Sequence, residues 1–132
     1  MYRFMLAILF LMVFAGMTFS AASLFHNIAN GQEPMKQYSL LIFSATWCGP
    51  CQNMHRNVWP VLEKDGSLEH LDVHYVDVDE NPQFTRQWKV SSMPTVVLAR
   101  NNPDGTASEI NRFVGMRSAN SVRDWINKLI QK

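Results

Sequence analysis

The two cysteines of this 132-residue chain stand two residues apart, in Trp47-Cys48-Gly49-Pro50-Cys51. No other feature restricts the fold as much. The pair follows an apolar run, Leu40-Leu41-Ile42-Phe43, and opens a stretch with helical periodicity. The chain is therefore expected to pass from strand to helix at the cysteines. Pro50 suits the first turn of such a helix, where a missing N–H costs nothing. Thiolate is the nucleophilic form of cysteine, and a helix N-terminus stabilises it. Gly49 lets another chain's sulfur approach closely. The pattern is one that supports thiol–disulfide exchange. As a plain staple the pair does little, because so short a loop constrains little unfolded-chain entropy.

The N-terminus reads differently. Arg3 precedes an unbroken apolar run from Phe4 to Phe14, and Ser20-Ala21-Ala22 then supplies small residues for a cut after Ala22. This three-part pattern is that of a secretory signal peptide over residues 1–22. The run is apolar on every face, unlike a half-buried helix. Phe4 to Ala22 also approaches the ~20 residues that span a bilayer. An uncleaved membrane anchor is thus the alternative, weakened by Gly16, Thr18 and Ser20. Either way residues 23–132 are expected outside the cytoplasm, in a periplasmic or other extracytoplasmic space. Membrane contact is expected only through residues 1–22. No cysteine lies near the cut, which excludes lipoprotein processing there. Arg3 is the one charged side chain of that segment, so the remainder carries 11 basic and 11 acidic residues. Nucleic-acid binding then has no electrostatic support.

Residues 23–132 are long enough for one domain. Ser23 to Asn30 reads as a short helix stopped by Gly31. Tyr38 to Phe43 reads as a strand buried on both faces. A helix follows from about Cys48 to about Lys64, with Met54, Val58, Val61 and Leu62 on one apolar face. Leu71 to Val78 is rich in β-branched residues and reads as a strand. Asp79-Glu80-Asn81-Pro82 opens a short helix through about Trp88. Thr95 to Ala99 is a third strand. Asn101-Asn102-Pro103-Asp104-Gly105 is a turn, and Glu109 to Val114 returns as an antiparallel strand. Ser118 to Ile130 closes the chain as a helix, with Val122, Trp125, Ile126 and Leu129 facing inward. The order βαβαββα, after a short N-terminal helix, predicts an α/β fold with a mixed central sheet flanked by helices. Chemistry in such sheets gathers at the carboxyl ends of the parallel strands, where Cys48 falls.

Four segments together resemble the thioredoxin family: Phe43-Ser44-Ala45-Thr46-Trp47-Cys48-Gly49-Pro50-Cys51, Val76-Asp77-Val78-Asp79-Glu80-Asn81-Pro82, Val90-Ser91-Ser92-Met93-Pro94-Thr95 and Phe113-Val114-Gly115. The likeness runs from about Tyr38 to the C-terminus. It implies a thioredoxin fold and a protein thiol–disulfide oxidoreductase whose redox group is the Cys48–Cys51 pair. Under it Cys48 is the attacking thiolate and Cys51 the resolving thiol. Pro94 matches the family's cis-proline, with Met93 offering backbone N–H and C=O to an extended substrate. Trp47 flanks the site, and Gly115 leaves room for the substrate chain. No organic cofactor or metal is implied.

Two departures stand out. Six residues before Cys48, where many members carry a buried Asp that helps deprotonate the resolving thiol, this chain has Ile42. Tyr75 stands where a Lys often accompanies that Asp. In addition, Arg56 occupies the place of a helix-kinking proline, which implies a straighter helix here. The departures suit exported, specialised branches of the family better than a fast general reductase.

Other residues invite competing readings. His55, four residues after Cys51, completes a conceivable Cys48/Cys51/His55 metal set, although a solvent-facing helix residue explains it as well. His74 reads as a core or edge histidine, and His26 and His70 as surface residues. Trp59, Trp88 and Trp125 read as core. Asp77 and Asp79 read as turn and cap residues. The expected activity is exchange of the Cys48–Cys51 dithiol or disulfide with protein substrates, with the protein acting as a monomeric reductant supplied by a membrane electron donor. The alternatives are a disulfide donor or isomerase, a metal-delivery module, and a non-catalytic interaction domain.

Overall fold

The structure, a computed structural model, describes residues 36–130. The leader expected over residues 1–22 and the helix expected over Ser23–Asn30 lie outside them. The described order is β1 (Tyr38–Ser44), α1 (Gly49–Asn57), α2 (Trp59–Lys64), β2 (Leu71–Asp77), α3 (Pro82–Gln87), β3 (Thr95–Asn101), β4 (Ala107–Val114) and α4 (Ala119–Ile130). The four strands form one sheet in the order β2-β1-β3-β4. β1 pairs parallel with β2 and antiparallel with β3, and β3 pairs antiparallel with β4. This is the mixed sheet expected from the alternation of strands and helices.

β1 is central, and its residues Leu40 to Phe43 are buried without alternation. Successive side chains in a strand point to opposite faces, and each face here has a cover. Leu40 and Ile42 pack with Met54 and Val58 of the α1 end, Val122 and Ile126 of α4, and Phe113. Leu41 and Phe43 pack on the other face with Val97, Phe84 and Trp88. Phe43 and Phe84 stack at 5.9 Å. Trp125 meets Phe113 edge-on at 5.0 Å, and its Nε1 donates to Asn111 Oδ1 at 3.2 Å. Trp59 is buried, and Trp88 and Trp125 are partly buried, in the core positions expected of them.

The single helix expected over residues 48–64 is two helices, and the straight helix implied by Arg56 is not found. The break falls at Val58, whose φ/ψ of −113°/−58° ends α1. Pro60 is the cause: it has no N–H to continue the ladder and its ring crowds the carbonyl a turn earlier. The ladder resumes only with Leu62 N–H donating to Val58 O at 3.2 Å. The break also turns Val61, placed by periodicity on the inner face, out to solvent, while Leu62 stays fully buried.

The hairpin between β3 and β4 closes where the turn residues lie, with Asn102 N–H donating to Thr106 O at 2.8 Å. The strands extend beyond the expected ends, to Asn101 and back to Ala107. α2 is tied to α4 through Asp65, which accepts from Ser67 N–H at 2.9 Å and pairs with Arg123. The Ser67 hydroxyl and the Arg123 guanidinium lower the Asp65 carboxyl to about 2.

Candidate active site

β1 ends at Ser44, and the chain turns through Ala45-Thr46-Trp47 before α1 begins at Gly49. Cys48 is the N-cap of α1, with φ/ψ of −84°/102°, and its Sγ accepts from Cys51 N–H at 3.2 Å. The sulfur thus takes the position in which a capping oxygen usually satisfies a free N–H of the first turn. That contact, together with the helix dipole, favours negative charge on Cys48 when the pair is reduced. Pro50 sits in the first turn, where it interrupts no hydrogen bond. Gly49 is exposed, and a Cβ built on it meets no atom within 4 Å.

Cys48 and Cys51 are joined by a disulfide, with Cα atoms 5.3 Å apart. Cys48 retains 6% of its surface and Cys51 only 1%. Cys48 is thus the less deeply buried of the two residues. Ala45, Val78 and Met93 form the apolar surround of the pair. Met93–Pro94 is a cis peptide, and Pro94 O accepts from Gly115 N–H at 2.8 Å. This bond brings the start of β3 and the end of β4 to the same edge as the cysteines. Gly115 has φ +90°, a conformation that favours glycine, and a Cβ there meets nothing within 4 Å. Backbone conformation, not crowding within the domain, is what calls for glycine; the space above it is open. Val114 and Met116 flank it as exposed apolar side chains.

Trp47 is 67% exposed and beside Cys48. Its indole is held from one side, with Nε1 donating to Asp79 Oδ2 at 2.8 Å. The sequence reading missed this partner. Asp79 lies 32 residues further on, after β2, and only the parallel pairing of β1 with β2 brings it to Trp47. Asp77 has the turn role expected: its Oδ1 accepts from Asp79 N–H at 2.9 Å and Glu80 N–H at 3.4 Å.

Where a buried carboxylate was absent from the sequence, the structure places an apolar residue. Ile42 is 1% exposed, paired in the sheet with Tyr75 on one side and Val96 on the other. Tyr75 turns outward, and its hydroxyl donates to Glu63 Oε1 at 2.8 Å. Partial burial, and then the adjacent Glu63 carboxylate, push the phenol up from its ordinary value. His55 is exposed and tilted against the Tyr75 ring at 5.2 Å, with Nε2 3.4 Å from Ser44 Oγ. Among the described residues no three His, Cys, Asp or Glu side chains are grouped to hold a metal. His74 is on the edge strand β2, exposed, 3.4 Å from Asp72, and His70 is exposed just before it.

A mixed sheet with a disulfide-bonded cysteine pair at a helix N-terminus and a cis-proline beside it defines a class: domains that exchange disulfides with other proteins. The comparisons agree. The thioredoxin family model matches residues 18–128. The chain is 38% identical to a thioredoxin of Chlamydia trachomatis over 90 residues, covering 67% of this chain and 79% of that protein. It is 37% identical to a thioredoxin of Listeria monocytogenes over 101 residues, covering 75% and 89%. The X-ray structure of Fasciola hepatica thioredoxin superposes with a TM-score of 0.57 at 28% identity, covering 83% of this chain and 93% of that one. The chain belongs to the thioredoxin family. It is a protein thiol–disulfide oxidoreductase whose redox group is the Cys48–Cys51 pair, and its substrates are protein disulfides.

Proposed function

We propose that this protein is exported and works there as a reductant of protein disulfides, fed with electrons by a membrane thiol carrier. The observation that carries the chemistry is Cys48 at the N-cap of α1, the more accessible sulfur, accepting from Cys51 N–H. In the reduced protein the Cys48 thiolate attacks one sulfur of a substrate disulfide. A mixed disulfide forms and the substrate's other sulfur leaves as thiolate. Met93 and Pro94 guide the substrate backbone, and the open space over Gly115 admits it. Cys51 then loses its proton to water or to the departing substrate thiolate and attacks Cys48 Sγ. The substrate is released as a dithiol and the Cys48–Cys51 disulfide forms, so two electrons have moved. Trp47, fixed by Asp79, walls the site, and Gly49 keeps the approach clear.

Two sequence features support the direction and the place. Gly-Pro between the cysteines resembles the reducing members of the family. The apolar run Phe4–Phe14 followed by Ser20-Ala21-Ala22 supports export. The direction is tested by the reduction potential of the pair, read by thiol alkylation or Trp47 fluorescence in dithiothreitol and glutathione buffers. The expected value is near roughly −270 mV, the thioredoxin end of the scale. A value of roughly −120 to −180 mV would make the protein a disulfide donor or isomerase. Export is tested by fractionating cells and sequencing the N-terminus of the product. The expected outcome is extracytoplasmic protein beginning at Ser23. Cytoplasmic protein still beginning at Met1 would refute export, and extracytoplasmic protein retaining Met1 would support the uncleaved anchor.

A further inference from the structure

A second surface adjoins the disulfide on the side away from Met93, Pro94 and Gly115. β1 and β2 run parallel, and their continuations part: α1 packs on the sheet face of Leu40 and Ile42, α3 on the face of Leu41 and Phe43. Such a divergence leaves a crevice outside the carboxyl ends of the strands. Here it is a cleft of about 380 Å³ lined by Ser44, Thr46, Gln52, His55, Arg56 and Asp77. Thr46 lies two residues before Cys48, and Gln52 directly follows Cys51. The strand order β2-β1-β3-β4 puts the cysteines, carried from the end of β1, between this cleft and the Met93–Gly115 side.

We infer that this cleft receives a carboxylate of the disulfide substrate, held by the Arg56 guanidinium beside His55. This deepens the function proposed above and rests on it. Arg56 is exposed and forms no ion pair among the described residues. Its planar fork matches a carboxylate. Ser44 Oγ and His55 Nε2, 3.4 Å apart, add polar partners on the same wall. The one acid of the lining, Asp77, has an oxygen committed to the turn N–H groups of Asp79 and Glu80. Asp77 also lines the cleft, so it opposes any anion held there and its neutralisation should strengthen the hold. Ala45 and Thr46 link the two surfaces: both line the cleft, and Ala45 packs against the cysteine pair.

The test uses the full chain and pairs of disulfide-bridged peptides that differ only in Glu against Gln, placed in turn on each side of the attacked cysteine. At low salt the parent protein is expected to prefer Glu in at least one position by roughly threefold to fivefold in kcat/KM, the scale of an exposed ion pair. The preference should fade at about 0.5 M salt through screening. In Arg56→Gln it should fall to about one, in Arg56→Lys it should persist in part, and in Asp77→Asn it should rise. A parent protein indifferent to Glu, or an Arg56→Gln protein that keeps the preference, overturns the inference. Oxidised glutathione, which also carries carboxylates, serves as the small-molecule arm. An Arg56→Gln loss confined to oxidised glutathione, with peptides unaffected, overturns the inference for protein substrates. Failure of the reduced parent protein to reduce any of the peptides overturns the reductant reading and this inference together; a missing Glu preference with normal turnover overturns the inference alone.

Discussion

Cys51→Ser is expected to stop the reaction halfway and hold the substrate. The attacking sulfur at the α1 N-cap is left intact, so Cys48 still displaces one substrate sulfur. Release needs a second thiolate one turn further along the same helix, and serine does not supply it. Incubation with a disulfide-bonded protein should then accumulate a covalent adduct that survives denaturing electrophoresis and disappears with dithiothreitol. Cys48→Ser should behave differently. The remaining Cys51 is 1% exposed and walled by Ala45, Val78 and Met93, so substrate sulfur does not reach it. Turnover should fall by more than roughly a thousandfold, the scale on which loss of a nucleophile acts in other covalent catalysts, and no adduct should form. Cys48→Ser protein with full activity would sink the assignment of the two roles and would favour a domain in which the pair only holds the loop.

Ile42→Asp has the second large expected effect, this time on stability. Ile42 is buried in the main core between Tyr75 and Val96. Removing it forfeits the burial of a full aliphatic side chain, and the carboxyl that replaces it finds no ionic partner, because the Tyr75 hydroxyl is turned outward to Glu63. The combined loss is about 3–5 kcal/mol at neutral pH, to be read from urea unfolding. Burial disfavours the charged form, so the new carboxyl should have its folded-state pKa raised above the ordinary value of about 3.9. The folded state then binds more protons than the unfolded one between these two values, and stability falls as pH rises through that window. The deficit against the parent should therefore grow from about pH 4 upward until the folded-state pKa is passed. A deficit independent of pH would show that the carboxylate has found water or a cation, and that this position tolerates a charge.

Both predictions turn on the contrast between what a residue is and what surrounds it. Cys48, Cys51, Gly49 and Pro50 carry their meaning in the chain itself. Two thiols at this spacing, with a proline that tolerates the first helical turn, specify a helix start that bears a disulfide, because the interactions involved span three or four residues. The strands were legible for a similar reason. Leu40 to Phe43 are apolar without alternation, the pattern of a strand covered on both faces, and the turn residues from Asn101 to Gly105 bring β4 back against β3. The break between α1 and α2 was also written in the sequence, at Pro60, but the apolar spacing of Val58, Val61 and Leu62 reads as one helix unless the missing N–H is counted.

What local sequence did not determine is who meets whom across the sheet. Trp47 finds Asp79 at a sequence separation of 32, and Gly115 N–H reaches Pro94 O, only because β2 and β4 take their places on either side of the β1–β3 pair. The cleft at Arg56 arises from the same step: α1 and α3 leave parallel neighbours toward opposite faces, and the space between is not a property of any one segment. Apolar periodicity says which face of an element is buried, not which element buries it. Sheet order decides that, since it is settled by long-range pairing whose energy no short stretch of chain contains. The sequence alone thus determined the chemistry of the cysteine pair and the set of elements that carries it. The tertiary structure decided the surroundings of that pair, and with them the surfaces a substrate can touch.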